Sequence, residues 1–143
     1  MPTTTYEPQD ESPNVAAALA LPRALERGVR GEDLREFYTS DATSTEHPNL
    51  IAPHGATHDV GQLVAASEAG AALLSSQRYA IRDVHECADL VIFRYTWTGV
   101  VGADRGPFTA GQEIIAHIAA FATISGGRIS RFETYDCYEP FGS

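Results

Sequence analysis

A chain of 143 residues is the length of one domain and can bury enough apolar surface to hold together without disulfide or metal staples. Its formal net charge of -9, from 19 acidic residues against 10 basic ones, produces a field that repels phosphate backbones and anionic lipid surfaces, which argues against nucleic-acid and membrane partners. Every basic residue is arginine, so Schiff-base chemistry, a phosphate-loop lysine and a lysine general base are excluded.

No apolar run approaches the ~18 residues of a membrane span, and the start of the chain lacks the basic and apolar regions of a signal peptide; a cytoplasmic, reducing location is expected. Cys87 and Cys137 have no metal-type spacing and fall in stretches of strand texture, which predicts two buried free thiols.

In chain order, residues 1–13 are rich in Thr, Pro and acids with Tyr6 as the one large apolar group, and a mobile tail is expected there, with residues 14–143 forming the domain. Val15, Leu19, Leu25 and Val29 repeat with the period of a helix facing a core, although Pro22 suggests that its regular part begins only near Leu21. Leu34, Phe37 and Tyr38 share one face of a short second helix after Gly28 and Gly31. Ala42 to His47 reads as a short strand, and Pro48, Asn49, Pro53 and Gly55 as an irregular loop. A third helix is predicted from Asp59 to Leu74, with Thr57 or Asp59 as its N-cap. Four strands follow, Tyr79 to His85, Leu90 to Val100, Glu113 to Ile124 and Arg128 to Tyr138, all rich in β-branched and aromatic residues. Ser125-Gly126-Gly127 signals a tight hairpin, and consecutive antiparallel pairing is the economical topology. Helices followed by strands give an α+β domain with helices on one face of a strongly bent, mostly antiparallel sheet.

The stretch Leu34-Arg35-Glu36-Phe37-Tyr38-Thr39-Ser40-Asp41-Ala42-Thr43, the hairpin Gly126-Gly127-Arg128-Ile129 and the ending Tyr135-Asp136-Cys137-Tyr138-Glu139-Pro140-Phe141 resemble the nuclear transport factor 2-like superfamily, and most closely its SnoaL-like polyketide cyclase branch. The superfamily also holds ketosteroid isomerases, scytalone dehydratases and limonene epoxide hydrolases. The resemblance implies a cone-shaped fold, with three N-terminal helices and the bent sheet packed around an apolar pocket for a hydrophobic small molecule, and often a homodimer joined through the outer sheet face.

It also implies site residues. His47 stands where the ketosteroid isomerase pattern has its general base, with Glu46 on the opposite strand face, and a histidine titrates near neutrality. Its other reading is a cap or a carbonyl partner in the loop with Pro48 and Asn49. Alternation on the last strand groups Phe132, Thr134, Asp136 and Tyr138 against Arg131, Glu133, Tyr135 and Cys137, and the resemblance turns the Asp136 face inward. A carboxyl in an apolar pocket is a competent acid or base, so Asp136 is the second candidate; a salt bridge to an arginine such as Arg94, or a cap on a loop amide, is its structural alternative. Tyr38, Tyr95 and Trp97 are candidate pocket walls, and His117 is expected to be buried, as pocket group or core histidine.

Ala120 stands where ketosteroid isomerases carry a second acid, and Glu113 to Ile124 lacks the Arg-x-Asp group of the epoxide hydrolases, which argues against both activities. His54 and His58, near Asp59 and His47, have weak metal-type spacing, and His85-Glu86-Cys87 alternates across a strand, so no metal is expected. No phosphate loop, nucleophile elbow or HExxH stretch is present. The expectation is a cofactor-independent cyclase, isomerase or dehydratase in which His47 and Asp136 shuttle protons, or else a non-catalytic binding or dimerisation module of the same fold.

Overall fold

The computed structural model describes Tyr6 and residues 10–141. Helix α1 spans Pro13–Glu26; a 3₁₀ segment, Gly31–Phe37, leads directly into strand β1, Tyr38–Glu46. Strand β2, Ala56–Asp59, and helix α2, Val60–Leu73, precede four long strands: β3, Leu74–Cys87; β4, Leu90–Val101; β5, Glu113–Ser125; and β6, Arg128–Tyr138. The three helical segments and the strand run match the predicted α+β class; β2 is an additional element, lying where the sequence reading had the end of the loop and the N-cap of the third helix.

The six strands form one open sheet in the order β2-β1-β6-β5-β4-β3. It is mixed because β1 runs parallel to β6 while every other neighbour pair is antiparallel. Gly126 and Gly127, at φ 57° and 79°, supply the two positive φ values of a two-residue hairpin in which Ser125 pairs with Arg128. Register shifts between Ile81 and Asp83 and between Thr123 and Ile124 insert bulges that bend the long strands.

Helix α1 starts earlier than its proline suggested. Ser12 caps it, accepting from the Val15 amide, and Pro13 sits in the first turn where its missing N–H costs nothing. Pro22 lies inside the helix and is buried, its ring lying against the cavity described below. Of the expected mobile tail, residues 1–5 and 7–9 lie outside the described residues; the Tyr6 amide donates to the Ile81 carbonyl at 2.8 Å. Asp59 forms a capping box with Gln62 at the start of α2.

Val15, Ala18, Leu19 and Leu21 of α1 pack on the concave sheet face, where Val91, Phe93, Ala116, Ala120, Ala122 and Ile129 are buried. Fully burying one such large side chain contributes about 1.5–3 kcal/mol. Helix α2 buries only Val60 completely, because its inner face looks onto a hollow instead of packed side chains. The cysteines depart from expectation: both Cys87 and Cys137 are exposed, one at the end of β3 and the other on the convex face of β6.

Ile129 has no exposed surface and pairs with Tyr38 where the parallel and antiparallel parts of the sheet meet. Ile129→Ala should lower the unfolding free energy by about 2–5 kcal/mol with an unchanged slope in urea. Denaturant titration followed by circular dichroism checks this.

Candidate functional site

Between the concave sheet face, the end of α1 and the inner side of α2 lies a cavity of about 690 Å³. Its α2 wall is built of small side chains, Ala66, Ser67, Gly70 and Ala71, with Leu63. Its sheet wall is aromatic: Tyr38, Tyr79, Phe93, Tyr95, Trp97, Phe132 and Tyr138. Tyr79 and Tyr95 lie 5.4 Å apart, Phe93 and Tyr95 5.6 Å, and Trp97 meets Tyr138 edge-on at 6.5 Å. Such contacts fix ring orientations beyond what area burial achieves.

Gln77, which the sequence reading did not single out, organises one end of this wall. Its Oε1 accepts from Trp97 Nε1 at 2.9 Å and from the Tyr79 hydroxyl at 3.1 Å, while its Nε2 donates to the Leu25 carbonyl at 3.4 Å. Gly99 lies beside it; a Cβ there would meet the Trp97 ring at 2.5 Å, so the glycine leaves room for the indole.

Strand alternation carries Phe132, Thr134, Asp136 and Tyr138 to the cavity and Glu133, Tyr135 and Cys137 to the convex face. Burial raises the pKa of the Asp136 carboxyl; a hydrogen bond from Thr134 opposes this and the nearby Glu46 carboxyl adds to it. Its Oδ1 is buried without a hydrogen-bond partner. The hydroxyls of Tyr38, Tyr79, Tyr95 and Tyr138 are likewise pushed up, above all by burial, and remain protonated donors. Arg94 pairs with Asp83, so it does not neutralise Asp136.

His47 is elsewhere. Its ring stacks on Tyr135, with centroids 4.3 Å apart, and its Nε2 lies 2.6 Å from Glu133 Oε2. Tyr135 and Glu133 belong to the convex face, so His47 and Asp136 stand on opposite sides of the sheet and cannot pass protons through one bound ligand. The reason is the period of two along a strand, which turns adjacent residues to opposite faces. On β1 it is Tyr38, Ser44 and Glu46 that line the cavity. His117 is also on the convex side and exposed, 2.8 Å from Glu139 Oε2, contrary to the expectation of burial. Its neighbours Ala116 and Ile118 take the inward positions.

Of the proposed walls, Tyr38, Tyr95, Trp97, Phe132, Thr134 and Tyr138 line the cavity together with Asp136. Glu46, His58, Gln77 and Tyr79 are cavity residues that the sequence reading missed; Glu46 lies two steps of two from buried Ala42 on the same strand face, a relation that becomes a signal only once Ala42 is known to face inward. His58 lines the cavity from β2 with its Nδ1 buried and unpaired, whereas His54 is exposed in the loop. The three histidines therefore do not converge, and among the described residues no group of three or more His, Cys, Asp or Glu side chains is placed to hold a metal ion.

An acid with a raised pKa penalises the folded state when it ionises. Below its ordinary value of 3.8 both folded and unfolded forms carry the proton and there is no penalty; above the raised folded-state value the penalty is complete. Asp136→Asn should therefore raise the melting temperature at neutral pH, with a gain that shrinks as the pH falls toward that of an ordinary aspartate. Thermal melts of both proteins across this range measure it.

Residues 18–132 match the family described as SnoaL-like domain. No curated protein matches the chain. Among solved structures, IdmH of Streptomyces antibioticus, a candidate polyketide cyclase, superposes with a TM-score of 0.72 at 19% identity, over 88% of this chain and 92% of that one. A candidate SnoaL-like polyketide cyclase of Jannaschia sp. CCS1 gives 0.69 at 20% identity, covering 90% and 91%. TerC, co-crystallised with polyporic acid, gives 0.66 at 19% identity, covering 90% and 92%. At these identities the likeness is one of fold.

Proposed function

The chain belongs to the SnoaL-like domain family, and from that premise we propose that it is a cofactor-independent acid/base enzyme of the cyclase, isomerase or dehydratase kind. Its substrate is a hydrophobic, oxygenated small molecule such as a polyketide intermediate. The observation that carries this reading is a single one: a carboxyl group, Asp136, raised in pKa by burial and set among tyrosine hydroxyls in a cavity of ligand size. A protonated carboxyl can donate to a ligand oxygen and, once ionised, take a proton back; work of this kind contributes about 10²–10⁴-fold to a rate. TerC, a protein of the same fold, was co-crystallised with polyporic acid, which supports a small organic ligand for this cavity.

Tyr38, Tyr95 and Tyr138 would orient the ligand's oxygens, and Trp97 and Phe132 would pack its apolar frame. His47 drops out of the proton relay, because its ring faces away from the cavity. A panel of hydroxylated polycyclic ketones and quinones, screened first by thermal stabilisation and then for turnover, tests the reading. Asp136→Asn should cut turnover at least ~100-fold while ligand stabilisation survives, and His47→Ala should leave turnover within a few-fold. Stabilisation without turnover by the unaltered protein favours the other reading, a non-catalytic binding module.

A homodimer joined through the convex sheet face and a cytoplasmic location complete the proposal. Tyr135, 47% exposed, with Phe121 edge-on at 5.8 Å and His47 stacked on it, forms an aromatic patch there that supports the dimer. Tyr135→Arg should shift the sedimentation of the protein from dimer to monomer without altering its circular dichroism spectrum.

A further inference from the structure

Glu46 occupies the last position of β1, opposite Thr134 in the parallel pairing with β6, and its side chain lines the cavity. Asp136 lies two residues beyond Thr134 on the same face. Two residues of strand rise and one inter-strand step separate their Cα atoms by about 8 Å, a gap that a bound carbonyl group and its neighbouring carbon can bridge.

The Glu46 carboxylate is not left to wander. Asn49 Nδ2 donates to Glu46 Oε2 at 3.0 Å and to the His47 carbonyl at 2.8 Å. Asn49 is itself held at its other atom, because its Oδ1 accepts from the amides of Ile51 and Ala52 at 2.9 and 3.0 Å. Its backbone amide also donates to the Ala52 carbonyl. A β-strand end, a side-chain-knotted loop and one amide hydrogen thus aim a carboxylate into the hollow, with Glu46 Oε1 free of the amide.

Resting on the function proposed above, we propose that Glu46 is the second proton-handling group of the site, acting against Asp136 across the ligand, and that Asn49 is its positioning residue. In the step this pair would catalyse, a C–H bond beside a ligand carbonyl breaks and its proton bonds to a Glu46 oxygen. The C–H electron pair becomes a C=C bond, the carbonyl π pair takes the Asp136 proton, and an enol forms. Glu46 is then the acid and Asp136 the base, and the two are restored when the enol is reprotonated at carbon and returns its O–H proton. Atoms and electrons balance without oxidant, reductant or cofactor.

The test uses 2-tetralone as the enolisable probe and 2-naphthol as an unreactive stand-in for its enol. Deuterium uptake at the tetralone α-carbon is followed by NMR and naphthol affinity by fluorescence, with thermal melts confirming that each variant is folded. Glu46→Gln should slow exchange by about 100-fold while naphthol affinity stays within a few-fold. Asn49→Asp retains the acceptor that orders the loop but removes the donors to Glu46 and to the His47 carbonyl; it should slow exchange about tenfold with naphthol affinity little changed, a split that a purely structural role would not produce.

If Glu46→Gln exchanges at the unaltered rate while Asp136→Asn does not, the inference about Glu46 is overturned and the reading of Asp136 stands. If Asn49→Asp leaves exchange unchanged, Asn49 is not a positioning residue. Naphthol binding without exchange in the unaltered protein overturns the proton-handling role of both carboxyls; failure of both binding and exchange overturns the function proposed above together with this inference.

Discussion

The hollow exists because two surfaces of unequal bulk face one another. The sheet presents rings from Tyr38, Tyr79, Phe93, Tyr95, Trp97, Phe132 and Tyr138, each held by its neighbours, while the facing side of α2 presents mostly alanine, glycine and serine. Side chains that small cannot reach across the space that the bulged, bent strands open beneath them, so the interior stays unfilled there. At the other end α1 does reach the sheet, with Val15, Ala18, Leu19 and Leu21, and there the core is solid. A packed core and an open cavity thereby share one sheet face.

The unfilled end is what alters the acidity of Asp136. Asp136 sits where water is scarce and its Oδ1 finds no donor, so the neutral acid is favoured over the ion. The same surroundings keep the tyrosine hydroxyls protonated, so the cavity wall offers donors, and the charged group that acts on Asp136 is the Glu46 carboxylate. Arg94, the one arginine weighed as its partner, is committed to Asp83.

The period of two along a strand decides which residues share that environment. Glu46 and His47 are adjacent in sequence, yet one lines the cavity and the other stacks on Tyr135 outside. The resemblance to the ketosteroid isomerase pattern points to the neighbourhood of both, but a motif that counts residues without knowing where β1 pairs with β6 cannot tell which of the two turns inward. His117 illustrates the same limit. Its strand is apolar on both faces, so hydrophobicity does not mark the inward one, and only the pairing of β5 with β4 and β6 places Ala116 and Ile118 inside.

What the amino-acid sequence determined by itself was local and periodic. Asp59 starts a helix, the Gly126-Gly127 pair closes a hairpin, and alternation on β6 separates the Asp136 face from the Tyr135 face; each depends on a few neighbouring residues and backbone sterics. What the tertiary structure alone decided was everything that depends on contacts between distant segments. The short strand β2, the exposure of both cysteines, the Gln77 anchor and the inward turn of Glu46 and His58 are of this kind. Their surroundings are assembled by strand register and by the mismatch of bulk between α2 and the sheet, and neither of these is written in any single stretch of the chain.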